Sequence, residues 1–316
     1  MNESQERVVL NAEETQGLKY SVRPADENQF SSFKMGAIKH NFQHHPLMQM
    51  DKLQSLAEYL MPLEQCRFVA PDLQQDSVFF HYGKATDGRD LDEFFRRIEE
   101  PESWLALYNV EAHPDYQAFV EEVIDTVRPQ VEREQGNIFI VNGFIFISAP
   151  PSVTPFHIDR ENNFFLQVQG QKRITVFDNL DREVVSAQAV EEFIVNRNLD
   201  NVRLKKQYVD RGCEFNVGPG DGVYFPSTSP HMTRTTEEWV SPGAGVSVSI
   251  GVVFYTEHTR ALAQVHQCNA VLRRLGLSPR PPGTNTMLEG IKRPIGKALA
   301  EIKARYRGYN PPPGAY

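Results

Sequence analysis

Residues 152–178 read SVTPFHIDRENNFFLQVQGQKRITVFD. Two runs in this stretch, NFFLQVQ and KRITVFD, are short and rich in aromatic and β-branched residues. Gly170 lies between them, so they read as strand, turn, strand. Ahead of them stands Thr154-Pro-Phe-His157-Ile-Asp159. If that segment is extended, side chains alternate and His157 and Asp159 share a face. One imidazole and one carboxylate on one face are two ligands of a metal site. A second imidazole from another strand would complete a 2-His-1-carboxylate facial triad, which holds Fe(II) with coordination positions left open. Taken alone, an H-x-D pair reads first as a local ion pair on a surface strand and only second as a metal site.

The chain has nine histidines. His231, in GPGDGVYFPSTSPH, is the best third ligand, because it follows the strand-like VYFP and a proline-containing loop. Enough chain separates it from His157 for a hairpin and an insertion to bring it back beside the first strand. The others have plainer contexts. His44 and His45 lie in a polar loop, His113 precedes a proline, and His258 and His266 fall in a C-terminal helical pattern.

Further strands flank the central stretch. IFIV and FIFIS follow Gly136, and VYFP (223–226) and VSVSIGVVFY (246–255) continue the series around a polar insertion near 181–212. Antiparallel hairpins of this kind predict a barrel or jelly roll over 136–256. Residues 1–135 read as a helical and mixed support region. Helical spacing occurs at Leu53, Leu56, Ala57 and Leu60 behind Asp51, and again at Leu91, Phe94, Phe95 and Ile98. A third helix carries Phe119, Val120, Val123 and Val127, with Pro129 expected to bend or end it. Residues 257–316 return to a helical period. Ala261, Val265, Cys268, Leu272 and Leu275 form one stripe, with Gly276 as its stop. After the stiff PRPPG (279–283), Pro294 reads as the first position of a helix carrying Ile295, Leu299, Ile302 and Tyr306. The pair is either a cap on the sheet or a dimerisation element.

Composition narrows the function. The chain has 316 residues, 40% hydrophobic and 23% charged, an ordinary globular balance. Its formal charge of −8 argues against sequence-independent nucleic-acid binding, which needs a basic field. Three scattered cysteines, Cys66, Cys213 and Cys268, make no disulfide framework. The polar start and the lack of a long apolar run predict a soluble, cytoplasmic protein without a membrane span.

The run T-P-x-H-x-D, then N-F-F, a glycine turn and K-R, resembles the JmjC group of Fe(II)- and 2-oxoglutarate-dependent dioxygenases. It is most similar to the branch of the asparaginyl hydroxylase factor inhibiting HIF, and the later G-D-x-x-Y-x-P…H adds to the likeness. The resemblance implies a mainly β fold with flanking helices, a double-stranded β-helix of the cupin and JmjC type. It implies His157, Asp159 and His231 as iron ligands. Lys172 would pair with the distal carboxylate of 2-oxoglutarate, a task suited to a compact cation on a long stem. Thr154 would give that carboxylate a hydroxyl, and Asn163 an amide near the metal-bound end. Trp104 lies where relatives place an aromatic or hydroxylated residue over the cosubstrate, although a core tryptophan is the plainer reading.

The chain departs from that branch on the strand after His231. Ser247, Ser249 and Gly251 share a face there, with no asparagine among them. The resemblance implies an oxygenase that consumes O2 and 2-oxoglutarate, releases succinate and CO2, and hydroxylates a protein, peptide or small molecule. It also implies a homodimer through 257–306, as C-terminal helices pair subunits in that branch. The competing class is a cupin-like module that binds a metal or ligand without oxidation.

Overall fold

The computed structural model describes residues 20–26, 30–68, 74–77, 90–100, 103–235 and 245–307. Its strands are β1 (Val22–Pro24), β2 (Gly36–His40), β3 (Cys66–Phe68), β4 (Trp104–Leu107), β5 (Ile138–Ser148), β6 (Ser152–His157), β7 (Asn162–Gln169), β8 (Lys172–Val176), β9 (Cys213–Val217), β10 (Asp221–Phe225), β11 (His231–Thr235) and β12 (Ser247–Thr256). Its helices are α1 (Met50–Leu60), α2 (Leu91–Arg96), α3 (Pro114–Asp125), α4 (Arg128–Gln135), α5 (Ala187–Asn196), α6 (Glu257–Arg274) and α7 (Thr286–Arg307).

The strands form two antiparallel sheets. The larger runs β1-β2-β10-β7-β12-β5-β4-β3 and the smaller β6-β11-β8-β9. This is the double-stranded β-helix expected from the central stretch. Alternation splits the larger sheet cleanly. Ile145 and Ile147 of β5, Phe164 and Leu166 of β7, and Ile250 and Val252 of β12 pack outward with residues of α1 and α3 into one core cluster. The opposite face of the same strands looks toward the smaller sheet. There Phe165, Ile174, Val176, Val217, Val223 and Phe225 pack into a smaller apolar cluster beside the cavity.

The structure differs from the sequence expectations in four places. IFIV and FIFIS are one strand, β5, because Gly143 lets it pass under the helices. A Cβ there would lie 2.5 Å from Val110 Cγ2 and 2.8 Å from Val120 Cγ1. Strands β1 to β4, from the first 135 residues, extend the large sheet. The third helix ends before Pro129, at Asp125 and short of Val127, and the proline opens a further helix, α4, in whose first turn its missing N–H costs no hydrogen bond. Pro294 lies inside α7 instead of starting it. That helix is begun by Asn285, whose Oδ1 accepts from the Leu288 N–H at 3.0 Å, and by Glu289, which accepts from the N–H groups of Gly283 and Asn285.

The insertion is α5 plus a short 3-10 helix at Lys206–Arg211, largely as read. It leaves β8 after Val176 and returns at Cys213, which pairs with Val176. The three cysteines are free, with Cys66 and Cys268 buried. No described helix is long and apolar enough to cross a membrane.

Candidate metal centre and its cavity

β6 ends at His157 and β11 begins at His231, and the register sets these residues directly opposite each other. His231 therefore opens a strand directly after the proline-containing loop. Two residues beyond β6, Asp159 turns in beside them, its carbonyl accepting from the Thr228 N–H at 2.8 Å. One donor atom from each of the three lies within 4.8 Å of the other two. His157 Nε2 is 3.8 Å from Asp159 Oδ1, and His231 Nε2 is 3.5 Å from Asp159 Oδ2. The imidazole centroids are 4.1 Å apart.

Local sequence fixes the tautomers. His157 Nδ1 lies 2.7 Å from the carbonyl of Pro155, and His231 Nδ1 lies 3.0 Å from that of Ser229, each two residues back. A carbonyl only accepts, so Nδ1 donates in both rings, which leaves the Nε2 atoms beside the carboxylate for a metal. Two imidazoles and one carboxylate converging from one side are a donor set that fits a divalent transition metal. Among the described residues this is the one group of three His, Cys, Asp or Glu side chains placed to hold an ion. Two other histidines have structural work: His45 and His113 cap helices, each ring accepting a backbone N–H.

The triad opens into a cavity of about 460 Å³ between the sheets. Lys172 lies at its far end. It starts β8, four residues from Val176, which pairs with His231, so the cation's backbone sits ~13 Å along the strand from the triad's level. The ammonium is buried and donates to Ser249 Oγ at 3.2 Å, and burial pushes it down to about 8. Thr154 lines the same wall and accepts a 2.9 Å hydrogen bond from Thr233. Asn163 also lines the cavity, and its Oδ1 is buried with no hydrogen-bond partner among the described residues.

The missing asparagine on β12 has a structural counterpart. A Cβ at Gly251 would stand 3.1 Å from Asn163 Oδ1 and 3.3 Å from its Nδ2. The Asn163 amide thus leans into the space a side chain at 251 would take. The serines beside it are engaged, Ser247 by Gln167 at 2.9 Å and Ser249 by Lys172.

Trp104 is not brought to the cavity. It is buried on β4 opposite Ser148, and its Nε1 has no partner among the described residues. Tyr108, four residues on and toward the triad, lines the cavity instead, its hydroxyl pushed up to about 12 by burial. Sequence reasoning also missed Thr233, although it stands two residues from His231 on an alternating strand. Ile140, Asn142, Arg197 and Tyr255 also line the wall and carry no motif.

A family model described as a cupin-like domain matches residues 7–259. The chain belongs to the cupin-like family. Among solved structures, YcfD, a ribosomal oxygenase from Escherichia coli, aligns over 89% of this chain and 67% of its own at 17% identity and a TM-score of 0.46. YcfD in complex with cobalt and 2-oxoglutarate aligns over 88% and 67%, at 17% identity and a TM-score of 0.43. DMSP lyase DddQ from Ruegeria pomeroyi aligns over 36% of this chain and 37% of its own, at 14% identity and a TM-score of 0.22. No curated protein sequence matches the chain.

Proposed function

We propose that this cupin-like protein is an Fe(II)- and 2-oxoglutarate-dependent oxygenase that hydroxylates a C–H bond and releases succinate and CO2. One observation carries the reading: a three-donor metal site and a buried lysine share a cavity but sit at opposite ends of one strand ladder. A module that only stores a metal has no use for a desolvated cation there.

His157, Asp159 and His231 would hold the iron, which supplies open positions for 2-oxoglutarate and O2 and the oxidising chemistry between them. Lys172, with Thr154 beside it, would bind the distal carboxylate. The Asn163 amide, with an unused buried acceptor, orients a donor near the triad. The apolar cluster of Phe165, Ile174 and Val223 gives the cavity a dry flank. No side chain is required to take a proton from the substrate carbon.

Within the JmjC group, the T-P-x-H-x-D…N-F-F run favours the factor-inhibiting-HIF branch, and Gly251 marks the departure from it. A reducing, cytoplasmic setting is consistent with the three free cysteines. The test is direct. Anaerobically purified protein is expected to hold one Fe(II) per chain, and the His157→Ala, His231→Ala double variant to hold none by elemental analysis. Near-stoichiometric iron in that variant removes the triad assignment. Metal binding without measurable 2-oxoglutarate affinity returns the protein to the non-catalytic cupin class.

A further inference from the structure

Five described residues other than glycine have left-handed backbone: Glu64, Asn109, Ile140, Arg197 and Thr228. Asn109, Ile140 and Arg197, from three separate segments, line the cavity, and Thr228 holds the backbone of Asp159. Such conformations persist only where surrounding structure forces them, and they cluster at functional sites.

Ile140 is the least expected, because a β-branched side chain resists positive φ. It is the extra residue of a bulge: Phe254 pairs with Val141 and Tyr255 with Phe139, leaving Ile140 without a partner on β12. The bulge reverses the alternation of β5, so Ile138 packs in the outer core while Phe139 stacks with Tyr255. Ile140, Asn142 and Tyr255 are thereby gathered at the triad's end of the cavity.

Arg197 reaches the same end from the insertion. The insertion is anchored at Val176 and Cys213, level with His231 and away from Lys172. Arg197 caps α5 with its N–H on the Phe193 carbonyl at 2.8 Å, and both residues line the cavity. Its side chain is exposed and makes no ion pair among the described residues. The cavity wall also has a bias of its own. Arg67, Arg160, Lys172 and Arg197 face two carboxylates, Asp159 and Glu161, in a chain of net charge −8. Glu161 is already engaged by the Tyr255 hydroxyl, and a metal in the triad adds to the positive field.

We propose that this end of the cavity recognises a small organic acid as substrate, distinct from the cosubstrate: Arg197 takes its carboxylate or phosphate, and Ile140, Phe144 and Tyr255 hold its apolar body against the triad. The assignment to substrate rests on the oxygenase reading; the anion site itself does not. A volume of about 460 Å³, in the ordinary range of small-molecule pockets, fits a small acid.

The experiment titrates short-chain carboxylates and alkyl phosphates, with their amide, alcohol and amine isosteres, into protein loaded with Mn(II) and saturating 2-oxoglutarate, by calorimetry. Acids are expected to bind at least about tenfold more tightly than neutral isosteres, as a charge-assisted hydrogen bond implies. The carboxylate and phosphate arms show which anion is preferred. Arg197→Ala should erase the preference, and Arg197→Glu should turn it toward amines. Arg197→Gly removes the guanidinium while suiting the left-handed backbone, so loss of acid binding there is not a folding defect. Equal binding of acids and neutral isosteres, no acid binding at all, or an Arg197→Gly protein with wild-type acid affinity overturns the proposal. Binding of acidic peptides in place of small acids overturns the size assignment. Acid binding without 2-oxoglutarate binding, titrated separately in the wild type, sinks the oxygenase reading and leaves the anion site standing.

Discussion

Lys172 shows how one side chain ties fold to chemistry. Its ammonium is buried and, among the described residues, shares only the Ser249 hydroxyl, so desolvation dominates and holds it down to about 8. Below that pH it is charged and attracts a carboxylate; above it the neutral amine does not. Affinity for 2-oxoglutarate is therefore expected to fall as pH rises through about 8, and binding above that point should take up a proton. Lys172→Ala should weaken 2-oxoglutarate by about 2–5 kcal/mol, on the order of 30-fold or more, and abolish the pH dependence. Calorimetry on Mn-loaded protein at several pH values reads both; equal affinity in the variant would assign the role to another cation. His157 and Asp159 were legible because an H-x-D pair on an extended segment is a local signal; His231 was picked out by its context after VYFP, and Lys172 came from the resemblance to the JmjC group and not from spacing. Tyr108 and Arg197 were not legible, because they reach the cavity through tertiary placement that no periodicity records.

Legibility at the scale of elements follows length and cohesion. The strands of the central stretch announce themselves by aromatic and β-branched runs. Strands β1, β3 and β4 are only three or four residues long and gain their ladder partners from distant chain. The start of α7 was misplaced because Pro294 outweighed the Asn285–Glu289 cap, a quieter signal; Pro294 is exposed and leaves α7 short of the one hydrogen bond its missing N–H would make. Gly143 is the position where β5 and the helices meet most closely. Gly143→Ala forces a methyl onto Val110 and Val120, both fully buried. We expect a loss of about 1–3 kcal/mol, the usual cost of overpacking, seen as a lower midpoint in thermal or urea unfolding. An unchanged midpoint would mean that the helices yield freely, and β5 would not be the rigid wall that the cavity requires.

Across the whole molecule, α7 is amphipathic the wrong way round for a helix that merely caps its own barrel. Gly296 packs against the Gln264 carbonyl of α6 so closely that a Cβ would overlap it. Lys292 reaches Asn269 and Lys303 reaches the Val195 carbonyl and Asn196, so polar groups face the body. The apolar side looks outward: Met287 is 81% exposed, Ile291 60%, Ile295 48%, Ile302 63% and Tyr306 93%. Leu275, at the end of the first stripe, is 72% exposed, while Val265 and Cys268 of that stripe are buried within the chain. A stripe of this length at helical spacing is an interaction surface in search of a partner. A second copy of α7 is the partner always available at equal concentration, and two-fold pairing of like stripes closes the surface without leading to a filament. The expected outcome is a homodimer by light scattering at micromolar concentration. Ile295→Glu with Ile302→Glu should give a monomer with an unchanged circular dichroism spectrum, because neither side chain serves the core of its own chain and only the paired state would bury the new charges. A wild-type protein that is monomeric at that concentration would refute self-association and leave the outward face of α7 to a different protein.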